Sequence, residues 1–208
     1  MEITWLGHSC FRLRGRDLAV VTDPFGKGLG YPPLKLTADV LTVSHAEPNH
    51  AAHDAVTGSP RLVDRPGEYE IGGAMIRGVA TRGHDGARNT AFLITLDDVV
   101  VCHLGDLAQV LSADQVATLK DPDVLLIPVG GHCTIGASQA AEVVSQLEPR
   151  LVVPMHYKTP AAALPLDPLD RFCSELAAIE ATPQPKLSVT RSALPDETGQ
   201  LVVLDYRR

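Results

Sequence analysis

The chain has 208 residues, 45% of them hydrophobic and 21% charged, the proportions of a globular domain rather than a disordered tail. Eighteen Lys and Arg against twenty-five Asp and Glu leave a formal charge of -7, which removes the global basic field that nucleic acid or an anionic membrane would need. The first residues, MEITWLGHSC, lack the positive start and long apolar run of an export signal, and no later stretch is long enough to span a bilayer, so a cytoplasmic protein is expected.

Only 4% of residues are aromatic, so the core must be aliphatic and built largely from β-branched strands. Apolar runs bounded by Gly, Pro or Asp predict strands at 3–6, 19–22, 40–44, 74–79, 91–96, 99–103, 124–128, 151–155 and 201–204. The tetrad Leu96-Asp97-Asp98-Val99 reads as a tight hairpin, because Asp tolerates the backbone angles such a turn demands. Ser112 and Gln115 have capping-box spacing and open a helix to Lys120, stopped by Asp121-Pro122. A second helix is expected over 137–147, with Ala140, Val143, Val144 and Leu147 on one stripe. A third is expected to start at Asp167-Pro168, with Asp167 as its cap. The Pro-rich segment 182–199 reads as a surface excursion before the last strand.

Strands dominate the first half and strand–helix alternation the second, which predicts an α/β layered sandwich with sheets inside and helices outside. No internal repeat, Gly/Ser linker or charge block divides the chain, so 1–208 is read as one domain. The four cysteines form no CxxC pair, which argues against a zinc ribbon or a thioredoxin-type site; Cys133, beside Gly130-Gly131, is the one kept as a candidate reactive thiol.

The chemistry concentrates at histidines that stand where a strand has just ended. His45 follows Val43-Ser44 and leads to Glu47, Asn49 and His50; His103 closes another run and leads to Gly105-Asp106; His156 closes a third; His84-Asp85 follows a fourth. Neighbouring strand ends share one rim of a layered α/β sheet, so groups distant in sequence can converge there. Imidazoles and carboxylates converging from several loops are what a first-row divalent cation requires. His53 and His132, taken singly, read as surface or hydrogen-bonded residues.

These motifs resemble the metallo-β-lactamase superfamily. The segments Leu6-Gly7-His8-Ser9, Thr22-Asp23-Pro24-Phe25, Ser44-His45 through His50, His103-Leu104-Gly105-Asp106, Pro128-Val129-Gly130-Gly131 and Pro154-Met155-His156-Tyr157 follow its order and spacing. The match is closest to a bacterial branch of small zinc-dependent hydrolases related to the ascorbate-lactonase group. The resemblance implies an αββα four-layer sandwich with metals at one rim between the sheets. It also implies His45, His50, His84, Asp106 and His156 as ligands, with Asp106 bridging. Two positions depart from the family's His-x-His-x-Asp-His: Glu47 stands at the second His and Asn49 at the Asp.

Carried over by position, one site would comprise His45, Glu47, His84 and Asp106, suited to zinc, iron or manganese. The other would keep His50, His156 and Asp106, weakened because the Asn49 amide has neither charge nor a useful pKa. Glu47 has solvated charge as its alternative role, and Asn49 the capping of a helix near His50. Asp23 resembles a buried carboxylate that orients a ligand imidazole, and His103 is read as support for the site rather than a ligand. Asp106 and His8 are the candidate catalytic groups.

The expected activity is metal-dependent hydrolysis, metal-bound hydroxide attacking a lactone, ester or phosphodiester; a degenerate binding or regulatory protein on the same fold is the alternative. The expected partner is a small-molecule substrate, with no membrane or nucleic acid, and a homo-oligomer is left open. Glu68 and Glu70, on one face of an extended segment, do not make a glycosidase pair, and Gly26-Lys27-Gly28 with Gly30 lacks the full phosphate-loop pattern, so it is read as a loop bordering the cleft.

Overall fold

The computed structural model describes residues 1–177 and 182–206. Its first sheet contains β1 (Glu2–Gly7), β2 (Cys10–Arg14), β3 (Ala19–Thr22), β5 (Val40–Thr42), β7 (Arg61–Val63) and β14 (Leu187–Ser188), in the order β14-β1-β2-β3-β5-β7. A two-stranded ribbon pairs β4 (Leu36–Thr37) with β6 (Val56–Thr57). The second sheet contains β8 (Gly67–Ile71), β9 (Ala74–Arg82), β10 (Arg88–Leu96), β11 (Val99–His103), β12 (Val124–Pro128), β13 (Leu151–Met155) and β15 (Gln200–Leu201), in the order β15-β13-β12-β11-β10-β9-β8. The helices are α1 (Ala113–Leu119), α2 (Ala137–Leu147) and α3 (Leu169–Glu175).

Alternation along the strands divides the core between two faces of the first sheet. Trp5, Val20 and Val40 belong to the large core, whereas Leu6, Val21 and Leu41 belong to a smaller cluster. The inner faces meet where the Phe11 and His103 rings lie 6.2 Å apart. Every residue of β12 and β13 is buried, as expected of parallel strands covered on both sides. The predicted stripe of α2, Ala140, Val143, Val144 and Leu147, is the buried one.

The expected sandwich is present, with one difference in its outer layer. The smaller cluster is covered by Leu29, Tyr31, Leu34, Leu36 and Ala51, from irregular chain and the ribbon. No α-helix follows His50: the amides of His50 and Ala51 both bond the Glu47 carbonyl, and the Ala52 amide is drawn to the Pro24 carbonyl, which ends the turn. Asn49 therefore caps nothing.

Local chemistry explains the other elements. Ser112 and Gln115 form the reciprocal capping box of α1, and Asp97 (φ 51°) and Asp98 (φ 64°) make the β10–β11 turn. Asp167 does not cap α3; the N-cap is Pro168, without a side-chain bond, and the Asp167 carboxylate pairs with Arg171 at 2.8 Å. The last predicted strand is shorter than 201–204, because only Gln200 and Leu201 pair with β13. Within 182–199, β14 joins β1, so this segment is not wholly an excursion. No helix among the described residues is long and apolar enough to cross a membrane.

Strand direction positions the site. In the first sheet β3, β5 and β7 are parallel, and β1 runs with them because β2 is antiparallel to both β1 and β3. In the second, β11, β12, β13 and β15 are parallel. The carboxyl ends of these strands carry His8, Asp23, His45, Asp106 and His156 to one rim.

Candidate metal centre

His8, Asp23 and His156 each follow the last residue or residues of a strand and adopt left-handed backbone angles, with φ of 54°, 39° and 52°. Such angles cost a non-glycine residue about 1–2 kcal/mol, a strain that the surrounding bonds must hold. Trp5 Nε1 donates to the His8 carbonyl at 3.0 Å, and the His156 amide donates to the same oxygen at 3.1 Å. A Cβ at Gly105 (φ +58°) would lie 2.5 Å from Ser44 Cβ and from Asn89 Oδ1, so only glycine lets the Asp106 turn approach the end of β5.

Asp106 is the hub. Its Oδ1 lies 3.2 Å from His50 Nε2 and 3.4 Å from His156 Nε2, and its Oδ2 lies 3.9 Å from His45 Nε2. The His50–Asp106 contact is close but poorly aligned, and Asp106 Oδ1, His50 Nε2 and both ring nitrogens of His156 are buried without a hydrogen-bond partner. Buried polar atoms seldom stay unpaired. Donors 2.0–2.2 Å from a tetrahedral metal are roughly 3.3–3.6 Å from one another, so the 3.2 and 3.4 Å separations at Asp106 Oδ1 are close to those around a shared cation, while the 3.9 Å to His45 is longer. His8, His50 and His156 form one group within ligand spacing; His45, His50 and Asp106 form another; Asp106, Cys133 and His156 form a third.

A hydrogen-bond chain sets the tautomers. Asp23, fully buried, accepts from the Ser44 amide at 2.7 Å, the Ser44 hydroxyl at 2.6 Å and His50 Nδ1 at 2.9 Å. Because the Ser44 proton goes to Asp23, its oxygen accepts from His45 Nδ1 at 3.0 Å. Both His45 and His50 thus protonate Nδ1 and turn Nε2 toward Asp106. Burial raises the Asp23 pKa, but the bond from His50 and the nearby His103 outweigh it and leave it lowered.

Burial also disfavours charge on His50, yet Asp106 and Asp23 overcome this and raise its pKa from 6.5 to about 10. Asp106 is buried too, but His156 and His50 hold its carboxyl far below the usual carboxylate range. His156, His45 and His8 are lowered chiefly by burial, His8 also by the neighbouring His156 and His50. Burial, then Asp106, pushes the Cys133 thiol up to about 11.

The remaining predicted residues divide clearly. Glu47 is 65% exposed, with Oε2 3.9 Å from His45 Nε2, at the edge of the group. Asn49 Nδ2 lies 3.4 Å from His8 Nε2. His103 Nε2 donates to the Ser9 carbonyl at 2.8 Å while its Nδ1 accepts from the Gly105 amide, so it ties two turns together and takes no place among the three ligand groups. His84 departs from expectation. The β9 end does reach the rim, but the 3-10 turn His84–Gly86 leaves the ring 59% exposed, 3.5 Å from Asp85 and outside those groups. The imidazole gathered instead is His8.

Asn89 was not singled out in the sequence. Buried in β10, it donates to Thr81 Oγ1 at 2.7 Å and to the Leu104 carbonyl at 2.9 Å, and its Oδ1 accepts from the Asp106 amide at 3.0 Å. The available signal was a lone Asn near the start of a largely apolar strand, where that residue is disfavoured.

Residues 2–156 match the β-lactamase superfamily domain. A UPF0173 metal-dependent hydrolase of Methanoculleus marisnigri is 31% identical over 208 residues, covering 86% of this chain and 91% of the relative. One from Archaeoglobus fulgidus is 30% identical over 197 residues, covering 76% and 84%. A Thermotoga maritima structure, described as a candidate Zn-dependent hydrolase of the metallo-β-lactamase superfamily, superposes with a TM-score of 0.83 at 41% identity over 98% of this chain and 97% of that one. Fold, rim and sequence together show that the chain belongs to the metallo-β-lactamase superfamily, among the UPF0173 metal-dependent hydrolases.

Proposed function

We propose that the protein hydrolyses a small ester, lactone or phosphodiester at a metal centre held by His45, His50, Asp106 and His156, with His84 outside it. The observation that carries this reading is the set of buried, unpaired atoms facing one another at Asp106, His50 and His156. The naming of the relatives as metal-dependent hydrolases supports the reaction class. A divalent cation supplies Lewis acidity at the substrate oxygen and acidifies water, which fits zinc and also iron or manganese.

The chain's own groups do the rest. Asp23 and Ser44 keep two ring protons on Nδ1, so a cation need displace only the Nε2 proton of charged His50 for both Nε2 lone pairs to face it. His8, neutral through burial, can accept or return a proton at the rim. A cavity of about 700 Å³, bordered by Gly26, Lys27, Ala46, Pro48, Asn49 and Ala52, adjoins the site and has the size of a small-molecule pocket. Lys27 is the charged side chain in that lining, which favours a substrate with an anionic group beside the bond to be cleaved.

Elemental analysis of protein purified without added metal, combined with hydrolysis of an aryl ester, a lactone and an aryl phosphodiester, tests the reading. The expected result is bound transition metal and turnover that a chelator removes and added metal restores. A chain that neither retains nor takes up metal is the degenerate alternative.

A further inference from the structure

Cys133 belongs to none of the positions that the family motif assigns, yet its Sγ lies within 4.8 Å of ligand atoms of both Asp106 and His156. The loop between β12 and α2 fixes it there from both sides. At one end the Val129 amide donates to the Met155 carbonyl at 3.1 Å, and a Cβ at Gly130 would collide with the His156 carbonyl. At the other, the Ile135 amide donates to the Leu107 carbonyl at 2.8 Å, next to Asp106. The chain around Cys133 is thus pinned to the neighbours of both partners. His156 itself is fully buried with neither ring nitrogen bonded, and one of those nitrogens lies within 4.8 Å of the sulfur.

Charge gives this thiol a purpose. Asn49 brings no negative charge, and its amide lies against His8. Asp106 alone would leave a divalent cation beside His156 half neutralised; a thiolate supplies the second charge. We propose that Cys133 ligates a divalent cation together with Asp106 and His156, replacing from a different loop the anionic donor absent at position 49. The inference rests on the metal-centre reading above. On binding, the S–H bond breaks, the metal–sulfur bond forms and the proton leaves to solvent. A sulfur donor directs the site toward zinc and other thiophilic ions and away from magnesium or calcium.

Cobalt(II) loading of chelator-treated protein separates the two ideas. The expected wild-type spectrum has visible cobalt bands and an intense near-ultraviolet thiolate-to-cobalt band, and Cys133→Ser removes only the latter. In the wild-type chain, cobalt should also protect Cys133 from iodoacetamide, read by peptide mass spectrometry, so the test does not depend on the variant folding. Cobalt uptake with no sulfur band and no protection overturns the role of Cys133 and leaves the metal centre standing. Absence of cobalt uptake overturns both.

Discussion

Replacing Asp23 with Asn changes almost no volume but reverses the direction of hydrogen bonding beneath two candidate ligands. Three donors converge on the carboxylate: the Ser44 amide, the Ser44 hydroxyl and His50 Nδ1, at 2.7, 2.6 and 2.9 Å. An amide can keep its oxygen on the Ser44 N–H, but its NH2 then faces the other two groups and must donate. The Ser44 hydroxyl turns to donate to His45 Nδ1, and His50 Nδ1 becomes an acceptor. Both imidazoles move their proton to Nε2, the nitrogen turned toward Asp106. Loss of an orienting partner typically costs 10–100-fold in metal affinity, so two affected ligands give about 100–10,000-fold, or roughly 3–5 kcal/mol. Competition against a chromophoric chelator measures the loss, with circular dichroism confirming the fold. Ser44→Ala removes the acceptor of His45 and one of the donors to Asp23 but leaves the His50–Asp23 bond, and should give about 10-fold. Asp23→Asn with affinity within a factor of three of wild type would refute the tautomer argument.

His8→Gln should keep its metal and lose about 100-fold or more in turnover, as expected of a proton-transfer group; loss of metal in elemental analysis would make His8 a ligand instead. His84→Ala should retain full metal content, since its ring is exposed and outside the ligand groups, and depletion would show that the turn closes onto the ion. Gly105→Ala combines a left-handed alanine with contacts at 2.5 Å and should lower stability by about 2–5 kcal/mol in urea titrations, with a parallel loss of metal affinity. In metal-free protein, charged His50 bridges two carboxylates with its pKa raised from 6.5 to about 10. Its stabilisation is therefore complete below about pH 6.5 and lost as pH rises toward 10; a urea midpoint flat across that interval would contradict the bridge. The depressed pKa of Asp106 acts in the opposite sense, its contribution being lost as pH falls below the ordinary carboxylate range.

The long, uniformly apolar elements were legible because burial on both faces leaves a plain signal: β11, β12 and β13 match the expected 99–103, 124–128 and 151–155. The α1 capping box and the Asp97-Asp98 turn were legible because each depends on residues within four positions. β2 was missed since Arg12 and Arg14 interrupt its apolar run, and β4, β6 and β14 have two residues each, too few for a period. At the site, strand ends announced His45, Asp106 and His156. What sequence order could not provide was the direction of each turn: one rotates His84 into solvent, while the left-handed angle at His8 belongs to the turn that brings this ring within 4.0 Å of His156. Asn89 was hidden, and Cys133 stood out only as a candidate reactive thiol, because the partners of both come from neighbouring strands and loops of the second sheet that lie far apart in sequence.

The bond from the His156 amide to the His8 carbonyl crosses from the last long strand of one sheet to the first strand of the other. The cluster therefore straddles a seam, and under the proposed function a cation seated there would act as a rivet between two halves of the molecule. Loading and docking of the halves become one equilibrium: free ion at a hundred times its dissociation constant adds about 2.7 kcal/mol to the folded state. Depletion of the ion would first loosen the mouth, where substrate must enter, and leave the far edges of the sheets closed.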